Sequence, residues 1–136
     1  MAASYDSKDT RSVTNGTMAK TGTSFHPNRS QVAPDTMAKF VHAPVTGKLD
    51  EVPGIGPVAA THLAKEDGGS ITNTYQLMGK FLALCGDELD PVEHCDKFYA
   101  WVVEKGIEKQ RSTIVLAIAE KANLAYPGVY DADLYT

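Results

Sequence analysis

Long apolar runs are missing from this 136-residue chain, and their absence limits what the protein can be. The apolar runs that exist are only a few residues long, which excludes a membrane-spanning helix. The first residues have no apolar stretch of the secretory type, so no signal peptide is expected. Two cysteines are too few for a disulfide scaffold. Together these features predict an intracellular protein.

An excess of positive charge is also missing. The chain has a formal net charge of −4 at pH 7 and a pI of about 5.5. Proteins that coat nucleic acid through bulk charge are basic, so this balance excludes that mode of binding. It leaves open a site that holds an anion through backbone N–H groups, because such a site needs local geometry rather than net charge.

Alternating runs of Val, Ile and Thr bounded by turns are absent as well, so no β-sheet is predicted. Residues 1–35 are rich in Ser, Thr, Asn and Gly and poor in large apolar side chains, which predicts a disordered tail. Residues 36–126 are predicted to form a compact all-α domain of five helices. A C-terminal tail is predicted over 127–136, either loose or ordered on contact.

Helix start and stop signals divide the predicted domain. The clearest is Asp90-Pro91-Val92-Glu93, which supplies an N-cap, a first-turn proline and a first-turn acid. In the third helix, Tyr75, Met78, Phe81 and Leu82 have the spacing of a buried face. The predicted helices cover 35–41, capped by Asp35, then 57–67, 72–84, 90–105 and 108–124.

The most informative stretch is 49–60, which reads LDEVPGIGPVAA. Pro-Gly-Ile-Gly before small residues is typical of a helix-hairpin-helix, whose glycines let backbone approach a phosphate. The N–H groups of Gly54, Gly56 and Val58 would then lie at a helix N-terminus, which attracts anions. Ile55 would insert into the core. The pattern predicts sequence-independent binding of a nucleic-acid backbone; the alternative is an ordinary tight turn.

A second candidate is 106–112, which places Lys109, Gln110 and Arg111 in the first turn of the last helix. Cations there oppose the helix dipole, and a phosphate over that turn would relieve the conflict. The alternative is a solvated surface turn.

Enzymatic and metal chemistry are not indicated. Cys85, His94 and Cys95 match no zinc spacing and lack a fourth ligand. The acids near residue 90 are typical of a solvated helix start, and Trp101 is predicted to pack rather than to stack on bases. With no paired base and nucleophile, we expect no catalytic residue, no metal, no cofactor and no small-molecule substrate.

Over residues 40–126 the ordered set of motifs resembles the barrier-to-autointegration factor family. The match consists of Phe40-Val41, Gly54-Ile55-Gly56, the segment YQLMGKFLAL at 75–84, FYAW at 98–101, and Gly106 followed by Lys109-Gln110.

The resemblance implies a five-helix, SAM-like bundle that contains a helix-hairpin-helix and forms a homodimer. Such dimers bridge two DNA duplexes without sequence preference, bind LEM-domain proteins of the inner nuclear membrane, and act in chromatin organisation and nuclear envelope assembly. The implied location is the nucleus, with the cytoplasm second. Carried over by position, the dimer contacts are Met78, Gly79 and Leu82. The DNA contacts are Gly54, Ile55, Gly56, Val58, Ala59, His62, Lys109, Gln110 and Arg111.

The chain departs from the family at three basic positions, where Thr36, Thr61 and His62 replace lysines. The link over 85–97, beside the family's LEM-docking groove, is longer. Two alternatives therefore accompany the DNA-bridging prediction: a protein-interaction adaptor of the same fold with weak or lost DNA binding, and an accessory subunit of a nuclease or repair complex.

Overall fold

Five α-helices account for half of residues 24–135, the part of the chain that the computed structural model describes. Single 3-10 turns lie at Pro27–Arg29, Leu49–Glu51 and Ala132–Tyr135, and no strand occurs within the described residues. The predicted five-helix all-α domain is thereby confirmed. The helices are α1 (Pro34–His42), α2 (Pro57–Ala64), α3 (Thr74–Ala83), α4 (Pro91–Glu104) and α5 (Arg111–Ala125).

Side-chain N-caps start two of the five α-helices, α3 at Asn73 and α4 at Asp90. Asp90 caps α4 as predicted, since its side chain accepts a hydrogen bond from the Glu93 N–H. The predicted cap of α1 is wrong, because Pro34 is the first helical residue and Asp35 lies inside the first turn. The last helix starts later than predicted because Gln110 has a φ of 65°, which helical backbone does not allow.

The middle helix of the bundle is α5, which packs against α1, α3 and α4. Residues 112–119 are all buried, so this segment has no solvent-exposed face. Ile114 and Ile118 are fully inaccessible and meet a core that includes Leu77, Phe81 and Phe98. Burial of each such side chain stabilises the fold by about 1.5–3 kcal/mol.

Both predicted tails contribute to this core, which corrects the predicted domain boundaries. Phe25 is buried, and its ring meets that of Tyr135 edge-on at 5.4 Å. The Gln31 N–H donates to Thr113 Oγ1 at 2.8 Å, which ties the segment before α1 to α5. Residues 24–35 are therefore ordered, while the rest of the predicted tail lies outside the described residues. Of the two alternatives for the tail after residue 126, the loose one is wrong, because Val129 and Tyr130 are buried.

Candidate nucleic-acid interface

The Pro-Gly-Ile-Gly segment forms a tight turn that only glycine allows at its second position. Gly54 has a φ of +94°, and a Cβ there would lie 2.9 Å from Ile114 Cγ1. The next residue donates its N–H to the Val52 carbonyl at 3.0 Å and is buried, as predicted for Ile55. Ile55 therefore anchors the turn to the core, and its buried side chain is not exposed to contact DNA. A DNA contact through its backbone stays a prediction.

The turn leads directly into α2, whose N-terminus has no side-chain cap. Gly56 is the N-cap residue, and the first helical hydrogen bond runs from the Ala60 N–H to the Gly56 carbonyl at 2.9 Å. Among the described residues, the N–H groups of Gly56 and Val58 have no hydrogen-bond acceptor. The Val58 side chain is 72% exposed. These donors and the helix dipole favour an anion at this end.

A second segment, Gly106 to Gln110, approaches α2 from the end of α4. Gly106 has a φ of +90°, and a Cβ there would lie 2.9 Å from His62 Nδ1, so only glycine allows this approach. Gln110 is the N-cap of α5, yet its side chain caps no N–H group and its Oε1 is buried without a partner. The N-terminus of α5 therefore also lacks a side-chain cap.

The two segments meet at one surface concavity of about 460 Å³, which we call the α2–α5 concavity. One wall consists of residues from 54–62, and the other consists of residues 106–110, about fifty positions later in the sequence. Gly106, Ile107 and Glu108 also contribute to it. The structure thus brings together seven of the nine predicted DNA contacts: Gly54, Gly56, Val58, Ala59, His62, Lys109 and Gln110.

Arg111 is placed differently from the prediction. Its Nε donates to the Ile107 carbonyl at 2.6 Å, and the residue is absent from the lining of the concavity. Arg111 thus closes the turn before α5 instead of facing a ligand. Lys109 and Gln110 precede the helix, so the predicted conflict between their positions and the first helical turn does not arise.

The charges at the concavity are mixed. Lys109 and Glu108 are both exposed and both line it. His62 is half-buried, and its Nδ1 lies 3.3 Å from Lys65 Nζ at the end of α2. Thr61 has its hydroxyl bonded to the Pro57 carbonyl at 2.9 Å. One lysine, Lys109, and one histidine, His62, therefore line the concavity together with the N–H donors, against one acid, Glu108.

The residues predicted to form a dimer contact lie on the outer side of α3. Gly79 is exposed, and a Cβ there would meet nothing within 4 Å. Met78 and Leu82 are half-buried. The predicted buried face is wrong at Tyr75, which is 62% exposed; Leu77 occupies the core instead.

Two of the residues weighed as zinc ligands, His94 and Cys95, take part in packing. His94 stacks on Phe81, with 4.1 Å between ring centroids, and its Nε2 lies 2.6 Å from the Phe81 carbonyl oxygen. Burial raises the pKa of the Cys95 thiol to about 12. In the range 24–135, no three His, Cys, Asp or Glu residues are grouped closely enough to hold a metal ion. No helix in that range is long and apolar enough to cross a membrane.

Comparison of this chain with protein-family models, with curated proteins and with solved structures gives no match.

Proposed function

We propose that this protein is a non-enzymatic, sequence-independent double-stranded DNA-binding protein that holds the phosphate backbone at the α2–α5 concavity. One observation carries the proposal: the N-terminus of α2 has no side-chain cap, and its unpaired Gly56 and Val58 N–H groups open onto a concavity that Lys109 also lines. Free N–H groups and helix dipoles bind phosphate without reading base edges, so all duplex sequences should bind alike.

The geometry also accounts for binding by an acidic protein. The lack of a Cβ at Gly56 leaves its N–H open, and Val58, the second residue of α2, adds another N–H donor. Because few cations contribute, each concavity releases few counterions and binds weakly. Two concavities on a homodimer would raise the overall affinity through multivalency.

The remainder of the proposal follows the family resemblance. The protein acts as a homodimer through the face of α3 that carries Met78, Gly79 and Leu82, and it bridges two duplexes. Its place is chromatin and the nuclear envelope, where LEM-domain proteins of the inner nuclear membrane are partners. The exposed, unobstructed surface at Gly79 supports this choice of contact, since glycine in a helix favours close approach of another helix.

The test is fluorescence anisotropy with two unrelated duplexes of equal length. Lys109→Gln should weaken binding to both by the same factor and reduce the slope of log affinity against log salt concentration by about 1. Lys97→Gln is the matched control, because Lys97 is an exposed lysine outside the concavity. Equal losses for the two variants would contradict the site, and unequal binding of the two duplexes would contradict the backbone mode.

A protein-interaction adaptor is the second candidate, and two features of the concavity favour it. The exposed Val58 offers an apolar contact, and Glu108 offsets part of the charge of Lys109. An adaptor would show no binding to a long duplex at low salt, where phosphate contacts are strongest. That result would replace the DNA-binding proposal with this one.

A further inference from the structure

Lys105, the C-cap residue of α4, is buried, with 4% of its surface exposed. Its ammonium group donates to three carbonyl oxygens of the loop after α2. These belong to Lys65 at 2.5 Å, Asp67 at 2.7 Å and Gly69 at 2.8 Å. An ammonium group has three N–H donors, so all of them are used within the protein. Lys105 therefore has no donor left for a ligand.

Trp101, one turn earlier in α4, holds the same loop. Its Nε1 donates to the Gly68 carbonyl at 2.9 Å, between two of the carbonyls that Lys105 binds. The ammonium nitrogens of Lys80 and Lys105 lie 5.5 and 5.9 Å from the centre of the indole ring. Four hydrogen bonds from α4 thus fix residues 65–69, which have no regular structure of their own.

The loop at 65–69 and Lys105 are each connected along the chain to one wall of the α2–α5 concavity. The loop is continuous with α2, which carries His62 and Val58 on one wall. Gly106, the residue directly after Lys105, begins the opposite wall and approaches His62 closely. A change in how α4 holds the loop would therefore alter the distance between the two walls.

We infer that Lys105 is a positioning residue for the α2–α5 concavity: its bonds to the loop carbonyls set the separation between the α2 wall and the Gly106–Gln110 wall. The DNA-binding part of this inference depends on the function proposed above, whereas the effect on the shape of the concavity does not.

The chain offers a matched control in Lys121 of α5. Its ammonium group donates to the carbonyls of Phe40 at 2.8 Å, Val41 at 3.0 Å and Ala43 at 2.5 Å, at the end of α1. It makes the same number of bonds to the same kind of acceptor. Lys121 does not line the concavity.

The experiment compares Lys105→Met and Lys121→Met in the full chain. Urea unfolding gives the stability of each variant, backbone amide NMR reports on Gly56, Val58 and Gly106, and anisotropy gives duplex affinity where both variants are folded. Both should lose stability, since each leaves three carbonyls unpaired. Only Lys105→Met should move the three amides, and it should weaken binding by about tenfold or more, as when outer partners that orient a site are removed.

A rescue measurement separates positioning from general destabilisation. In Lys105→Ala, n-propylammonium can return an ammonium group to the loop carbonyls, and it should restore the amide positions and part of the affinity. Tetramethylammonium at the same concentration has no N–H donor and should restore neither. If Lys105→Met does not fold, Lys105→Arg keeps a cation with N–H donors, and its Gly56 and Gly106 amides should still shift while those near Phe40 stay.

Three results would overturn the inference: unchanged concavity amides in the folded Lys105 variants, equal affinity losses for Lys105→Met and Lys121→Met, or equal effects of the two ammonium ions. Absence of duplex binding by the wild-type protein would instead contradict the proposed function, and the amide shifts would still decide the role of Lys105.

Discussion

Gly54 should tolerate no side chain, and the size of the penalty can be worked out from its surroundings. Its φ of +94° is costly for any residue with a Cβ, by about 1–2 kcal/mol. The new methyl group would also lie 2.9 Å from Ile114 Cγ1 and 3.2 Å from Gln110 Cβ, inside a packed region. Overpacking of this kind costs about 1–3 kcal/mol. Gly54→Ala should therefore destabilise the fold by about 2–5 kcal/mol.

Two other glycines separate these contributions. Gly69 has the same φ of +94° with nothing within 4 Å of its Cβ position, so Gly69→Ala should cost only the backbone part, about 1–2 kcal/mol. Gly56 has a φ of −107° and open space, so Gly56→Ala should cost no more than the loss of a favourable N-cap, about 0.5–1 kcal/mol.

Urea unfolding followed by far-UV circular dichroism measures all three losses. The double variant Gly54→Ala/Ile114→Ala should be less destabilised than the sum of its single variants, because removing the isoleucine relieves the clash. Equal losses for Gly54→Ala and Gly69→Ala, or strict additivity in the double variant, would refute the reasoning.

The different surroundings of Gly54 and Gly56 also determine which of the two is suited to a test of DNA binding. Any Gly54 variant perturbs the turn itself, so its loss of binding would not distinguish a missing contact from a distorted fold. A larger side chain at Gly56 covers the open N–H donors without entering the core. Gly56→Val should therefore reduce duplex binding by more than it reduces stability.

Four further predictions concern pH, assembly and thiol chemistry. Burial raises the pKa of Asp96, so its negative charge destabilises the native state at neutral pH. Asp96→Asn should therefore raise the Tm at neutral pH. This increase in Tm should shrink as the pH falls toward 3.8, because the wild-type carboxyl then becomes protonated. The pKa of Glu51 shifts the other way: burial alone would raise it, but hydrogen bonds lower it overall. Glu51→Gln should therefore lower the Tm at neutral pH. This loss of Tm should shrink as the pH falls below 4.5. Gly79→Glu should turn a dimer into a monomer in light scattering while helicity is kept, and a dimer of unchanged mass would place the interface elsewhere. Ellman's reagent should titrate Cys85 rapidly in the native protein and Cys95 only after denaturation, since Cys95 is buried; two rapid equivalents would contradict that burial.

The sequence by itself determined the features that depend on near neighbours. Asp90 and Pro91 start α4 because capping and a fixed proline φ act within a few residues. The glycine turn before α2 and the insertion of Ile55 are likewise encoded in four adjacent residues. The uninterrupted apolar run at 114–119 corresponds to a stretch of α5 that is buried on all sides.

Only the tertiary structure decided which distant residues meet. Phe25 stands in a polar segment whose composition predicts disorder, and it is ordered because α4, α5 and Tyr135 offer it a place in the core. Nothing local to Gly54 or Lys109 predicts a shared concavity, and nothing local to Lys105 predicts that its ammonium group holds a loop about forty residues earlier. Such contacts arise when helices pack, because burying apolar faces fixes relative positions that no short segment specifies.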